Sequence, residues 1–301
     1  MTPRPALPAP DPQRVAERLL HTSAHHSFDP AEDVDWRTPL VDDAWFLQPE
    51  RVSLYGTPLW EEMDHHQRLE LSRQELARLL DLGAWFEQCV IQMFARYVAH
   101  RGPSDSRSRY ALTEIADETR HMMMFGRLTR TLGCRRYRPT PAVRHLFPLV
   151  SPFYGEIDTF ALALIIEEVL DRMQREAMRD ERVQPLVRQV FRIHVIEEAR
   201  HVSFAHTELQ HALRDVSPAR RAVHREFVAV AAWLTLNCLR HPGVYREAGL
   251  DPAVARRQAR DNPYYRETLL WAGEKLVGFL TEVGMIGPAE RLWWRRAGVM
   301  R

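Results

Sequence analysis

Residues 191 to 201 read FRIHVIEEARH and set His194, Glu198 and His201 four and three positions apart. On a helix those offsets stack the three side chains on one stripe over adjacent turns. The stripe is otherwise apolar, with Phe191, Val195, Val202 and Ala205 on it or beside it. Two imidazoles and a carboxylate in an oily stripe need a strong partner, because burying an unpaired charge is very costly. A transition metal ion answers that need.

A second copy strengthens the case. Residues 114 to 121 read EIADETRH, so Glu118 and His121 repeat the Glu-x-x-His spacing of Glu198 and His201. A glutamate precedes each copy at one fixed interval: Glu87 lies 31 positions before Glu118, and Glu167 lies 31 before Glu198. Two helix pairs, each supplying one Glu and one Glu-x-x-His, make the ligand set of a ferritin-like di-metal carboxylate bundle. One Glu-x-x-His alone is weak evidence; two with matched upstream glutamates are strong. The donors are all nitrogen and oxygen, which excludes zinc-finger and iron–sulfur readings. Mixed imidazole–carboxylate sets suit iron, with manganese as the substitute. Two reduced irons can pass electrons to dioxygen, so O2 is the expected co-substrate. His194 exceeds the usual four-Glu, two-His set and takes a coordination position that water otherwise fills.

The helices must aim these groups inward. Around Glu87 the positions three, four and seven residues away are Leu80, Gly83, Ala84, Val90, Ile91 and Phe94, all apolar or small, so Glu87 faces a core. The bland alternative is a buried Glu paired with an Arg. Glu167 shares its stripe with Phe160, Ala163, Leu164 and Leu170, whereas Glu168 runs with Asp171, Arg172 and Arg175, a wetter edge. Periodicity and the repeat therefore both choose Glu167. Glu114, one turn before Glu118, takes the place of His194 in the other half; an outer support or a helix-face acid is favoured over an extra ligand. Metal-bound histidines usually donate their other N–H to an acid. Asp171 is the preferred partner; for Asp117 and Glu197, which directly precede the motif glutamates, a solvated face is an equal reading. Arg120 and Arg200 either neutralise these acids or face solvent.

The chain of 301 residues carries 41 basic and 40 acidic side chains, a net charge of +1, so no bulk field favours nucleic acid or a membrane surface. Only 13 glycines suit long helices better than a turn-rich β fold. Three cysteines in no CxxC pair fit a reduced, cytoplasmic setting, and no apolar run is long enough to span a membrane. The expected fold is all-α: a ferritin-like four-helix bundle with additional N- and C-terminal helices. Residues 1–60 read as a Pro-rich tail, a short helix from Asp11 and an irregular arm across the bundle; residues 61–301 read as the di-iron oxygenase domain. Helices are expected from about 62 to 100, 104 to 132, 155 to 180, 183 to 213, 218 to 241 and 263 to 283. A proline-bearing crossover covers 133 to 153, and a linker holds Pro242 and Pro252. The Trp293–Trp294 pair reads as a dimer anchor or as edge-of-core packing.

Glu87, ETRH at 118–121, IIEEVLD at 165–171 and HVIEEARH at 194–201 together resemble the p-aminobenzoate N-oxygenase family, over roughly residues 55 to 285. The resemblance places the family's seven ligands on Glu87, Glu118, His121, Glu167, His194, Glu198 and His201. It implies a homodimeric di-iron monooxygenase of natural-product biosynthesis. The implied reaction takes an arylamine through hydroxylamine and nitroso to a nitro group, with electrons from a reductase, a ferredoxin or a small reductant. Wider relatives hydroxylate or desaturate C–H bonds, which is the alternative outcome. A ferroxidase-type metal store is the third reading; the long preamble and the helices after 218 argue against it.

Overall fold

The computed structural model describes residues 10–301, so the Pro-rich tail expected at the N-terminus lies almost wholly outside the described residues. Helix α1, Pro12–His25, starts with Asp11 accepting from the Gln13 N–H, and Pro12 fills a first-turn position whose N–H would have no partner. An irregular arm follows and ends in the short helix α2, Pro58–Glu62. Helix α3, His65–Arg101, opens on a reciprocal cap: Asp64 accepts from the Gln67 N–H at 2.8 Å and the Gln67 side chain accepts from the Asp64 N–H at 3.3 Å. It stops at Gly102, whose φ of 84° suits glycine. Helix α4, Ser106–Thr131, completes the first pair.

The crossover is not merely a loop. It holds helix α5, Pro141–Val150, with Pro148 inside it. Helices α6, Glu156–Ala177, and α7, Pro185–Ala212, form the second pair. Then come α8, Pro218–Asn237, α9, Pro242–Glu247, α10, Pro252–Asp261, α11, Pro263–Glu282, and α12, Arg291–Ala297. The expected linker with Pro242 and Pro252 is thus a pair of short helices. The prolines begin them, as they begin α1, α2, α5, α7, α8 and α11; read as breakers, they conceal a helix on their C-terminal side.

α3 packs most extensively on α4, and α6 on α7, while α1 lies against α4 and α7. α8 and α11 both cover α6. This is the ferritin-like bundle with added helices at both ends. The arm is pinned across it where Trp45 bridges to Val183, with the Trp45 N–H donating to the Arg182 carbonyl at 2.8 Å. Of the C-terminal tryptophans, Trp294 is buried in the core, and Trp293 lies at its edge against Trp233, donating to Glu226 at 2.7 Å.

The apolar interior divides into two clusters. One includes Phe86, Val90, Tyr110, Phe160 and Phe204; the other includes Leu76, Leu80, Phe125, Leu186 and Phe191. Along α4 and α7 the change from one cluster to the other falls near Glu118 and Glu198, and along α3 it falls between Leu80 and Leu82, before Glu87. A polar belt of buried acids and histidines therefore crosses the waist of an otherwise oily bundle.

Candidate metal centre

All seven residues singled out by spacing meet in that belt. Glu87, His121, His194 and Glu198 form one group, and Glu118, Glu167, Glu198 and His201 form another. Within each group one donor atom per residue lies within 4.8 Å of every other, and all are buried. Glu198 belongs to both. Glu167 takes part, whereas Glu168 turns to His206, 3.5 Å away, whose ring stacks on Phe279. Glu168 is nevertheless only 7% exposed; the wetter edge expected there is closed by α11.

Each motif histidine has one nitrogen turned inward and one outward. His121 Nδ1 lies 2.8 Å from Glu118 Oε2 and 3.3 Å from Glu198 Oε1, while its Nε2 meets Glu197 Oε2 at 2.9 Å. His201 Nδ1 lies 3.0 Å from Glu118 Oε1, and its Nε2 meets Asp117 Oδ2 at 3.3 Å. The bracing is crossed: the acid before each motif glutamate holds the histidine of the other helix. Both acids are buried, which removes the solvated-face reading. They are neutralised in turn. Arg120 pairs with Asp117, and Arg200 lies 3.6 Å from both Asp117 Oδ2 and Glu197 Oε1. The arm closes the layer from outside, with the Phe28 N–H donating to Glu197 Oε1 at 3.2 Å and Arg200 donating to the His26 carbonyl at 3.2 Å.

Asp171, the partner preferred from periodicity, does not do this work. Its carboxylate is taken by Arg175 at 2.8 and 3.1 Å, and it reaches no histidine. An arginine one turn further along the same helix competes better than an imidazole on another. Glu114 is fully buried with neither oxygen hydrogen-bonded, yet it joins neither four-residue group. Crossed bracing was invisible to spacing, because it depends on how α4 and α7 face each other.

The donor set fits a pair of cations. Glu87 Oε2, Glu118 Oε1 and both oxygens of Glu167 and Glu198 are buried with no hydrogen-bond partner, and such orphans need an explanation. Electrostatics agree. Burial, helped by the repulsion of Glu118 and Glu198, holds Glu87 well above the usual carboxylate range. Burial and the same two neighbours raise Glu167. For Glu198 burial works the same way, but His201 and His194 outweigh it and hold it well below. Burial takes His194 down to about 4, leaving it neutral near pH 7. A metal-free belt thus needs protons on some acids, a role that dications would take over on binding.

Fold and belt together define a ferritin-like di-metal carboxylate protein. The chain belongs to the P-aminobenzoate N-oxygenase AurF family, whose model matches residues 9–284. It is 27% identical over 293 residues to the uncharacterized protein MT0908 of Mycobacterium tuberculosis (strain CDC 1551 / Oshkosh), covering 92% of this chain and 84% of that one. The uncharacterized protein Mb0909 of Mycobacterium bovis is 26% identical with the same coverage. Among the described residues no helix is long and apolar enough to cross a membrane.

Proposed function

We propose that this chain is a non-haem di-iron N-oxygenase that uses O2 to convert an arylamine to a nitroarene. The observation that carries the reading is the pair of overlapping groups joined at Glu198. Family membership supplies the oxygenase class. Glu87, His121, His194 and Glu198 would hold one iron, and Glu118, Glu167, Glu198 and His201 the other. Bound there, the irons supply reductive activation of dioxygen. The protein's part is to fix the ligands. Glu197 and Asp117 accept the Nε2–H of His121 and His201, which leaves each Nδ1 unprotonated toward the belt, and Arg120 and Arg200 pair with those acids from behind. Phe125, Leu170 and Phe191, close to Glu87, exclude water from the reacting side. On the amine, two oxygen atoms are added to nitrogen and its hydrogens are removed, through hydroxylamine and nitroso stages. The electrons come from a separate reductase, ferredoxin or small reductant. A homodimer acting in the cytoplasm in natural-product biosynthesis completes the proposal.

The test loads the protein anaerobically with ferrous iron, reduces it, and admits 18O2 with a panel of arylamines before mass spectrometry. Labelled nitro or hydroxylamino product is expected. Oxygen on carbon moves the chain to the hydroxylase class; peroxide or water alone makes it a ferroxidase.

A further inference from the structure

A narrow apolar cavity lies directly beside Glu87, between the arm, α3 and α6, with about 20 Å³ of free room. Gly83, one turn before Glu87, leaves the Phe125 ring uncovered: a Cβ there would sit 3.1 Å from Phe125 Cε2. Leu170, Met173 and Phe191 form the rest of the apolar wall. To admit an aromatic ring, the flexible Met173 side chain must turn aside.

The lining of this cavity also holds polar groups but offers no free charge. Gln48, 3% exposed, presents a buried Nε2 with no hydrogen-bond partner, and Gln174 presents a buried Oε1 with none. Both line the cavity. The one cation in the lining, Arg51, is already engaged: it donates to Glu176 at 2.7 and 2.9 Å and to Thr268 at 3.1 Å, and its guanidinium lies 4.0 Å over Trp271. Gln174 stands seven residues, two turns, beyond Glu167 on α6, about 10 Å along the helix axis. Gln174 therefore stands clear of the metal belt while lining the same cavity as Glu87.

We propose that Gln48 and Gln174 select an arylamine whose opposite substituent is an uncharged group that both donates and accepts hydrogen bonds, such as a carboxamide. The inference rests on the arylamine reading above. The Gln48 amide donates to the substituent's carbonyl oxygen and the Gln174 carbonyl accepts its N–H, so two orphaned groups are satisfied at once. A carboxylate in the same place would be desolvated without a counter-ion and would meet the Gln174 oxygen as a like partner, which is unfavourable. Met173 and Leu79, with Leu47 and Arg51, also line an adjoining space that Ser53 and Glu75 border.

The test titrates the iron-loaded protein, held anaerobic, with 4-aminobenzamide, 4-aminobenzoate and aniline by calorimetry, and assays the same three for N-oxygenation. The amide is expected to bind about 10-fold tighter than either of the others, the effect of one satisfied buried hydrogen-bonding pair. Gln174→Leu should bring the amide down to the level of aniline with two irons still bound. Gln48→Leu should do the same from an independent element, so the failure of one variant to fold leaves the other as the test. Equal or tighter binding of 4-aminobenzoate, a preference that survives both substitutions, or no binding of any of the three overturns the proposal. Selective binding of the amide without oxidation of nitrogen keeps this inference and sinks the N-oxygenase reading. Oxidation of all three amines without selectivity does the reverse.

Discussion

The α3–α4 pair and the α6–α7 pair follow one plan with one exchanged residue. Glu87 matches Glu167, Glu118 matches Glu198, His121 matches His201, and Asp117 matches Glu197, but Glu114 stands where the other half has His194. The exchange makes the two metal positions unequal. The group around Glu87 has two carboxylates and two imidazoles; the group around Glu167 has three carboxylates and one imidazole, with the buried Glu114 near it. His194 sends its Nε2 to within 3.4 Å of Glu87 and of Glu198, while its Nδ1 has no partner. Of the two motif histidines, His121 is hydrogen-bonded at both nitrogens and His201 at its outer Nε2. A repeated scaffold therefore builds two groups of side chains that could each hold a cation, and a single change within it sets their charge apart.

The sharpest way to break this comparison is Glu198→Ala, because that residue serves both groups. Iron content should collapse at both positions, with N-oxygenation lost, as read by metal analysis of the folded protein. Next come His194→Ala and Glu114→Gln as a pair. The first should empty the Glu87 group and leave about one iron per chain, since it removes one of four donors; the second should keep two. Equal iron loss in both variants would mean that Glu114 is a ligand and the halves are alike.

A smaller effect tests the crossing. Glu197→Gln and Asp117→Asn should each lower iron affinity by roughly 10–100-fold, the usual cost of removing a histidine's outer partner. Glu197→Gln should weaken the position that His121 serves, and Asp117→Asn the one that His201 serves. Competition against a chelator, resolved by the spectrum of each iron, reads the assignment; matched effects at one position would refute it.

The smallest expected effect lies outside the belt. Burial pushes Glu75 up to about 7, against the hydrogen bonds it accepts from the Ser53 side chain and N–H. The folded chain thus keeps this proton up to near pH 7, whereas the unfolded chain releases it near 4.5. The contribution of this one group to stability should be highest below that lower value, fall by roughly 1–3 kcal/mol as pH rises to 7, and stay level above it. Glu75→Gln should flatten the slope in denaturant titrations across that window.

The bundle and the convergence of the seven side chains were legible because both obey a helical period. A buried glutamate among Leu80, Val90 and Phe94 cannot be a surface residue, and a repeated interval of 31 positions ties each such glutamate to its motif. What spacing could not carry was contact between distant elements. Asp171 lies on the right stripe, yet Arg175 on the same helix captures it. Asp117 and Glu197 look like ordinary helix-face acids until α4 and α7 are set face to face. Gln48 belongs to an arm without periodicity, so no pattern marks it; only its place beside Gln174 gives it meaning. The helices α9 and α10 were hidden by their leading prolines, which signal a start as readily as a stop.

The segment His26–Phe28, with no regular helix of its own, donates one N–H and lends one carbonyl to the layer behind the histidines. It works as a latch set far along the chain from the imidazole it steadies. Shortening the protein to its bundle would therefore leave every ligand in place and still loosen the grip on one of them, so the irregular prefix belongs to the working unit as fully as the helices do.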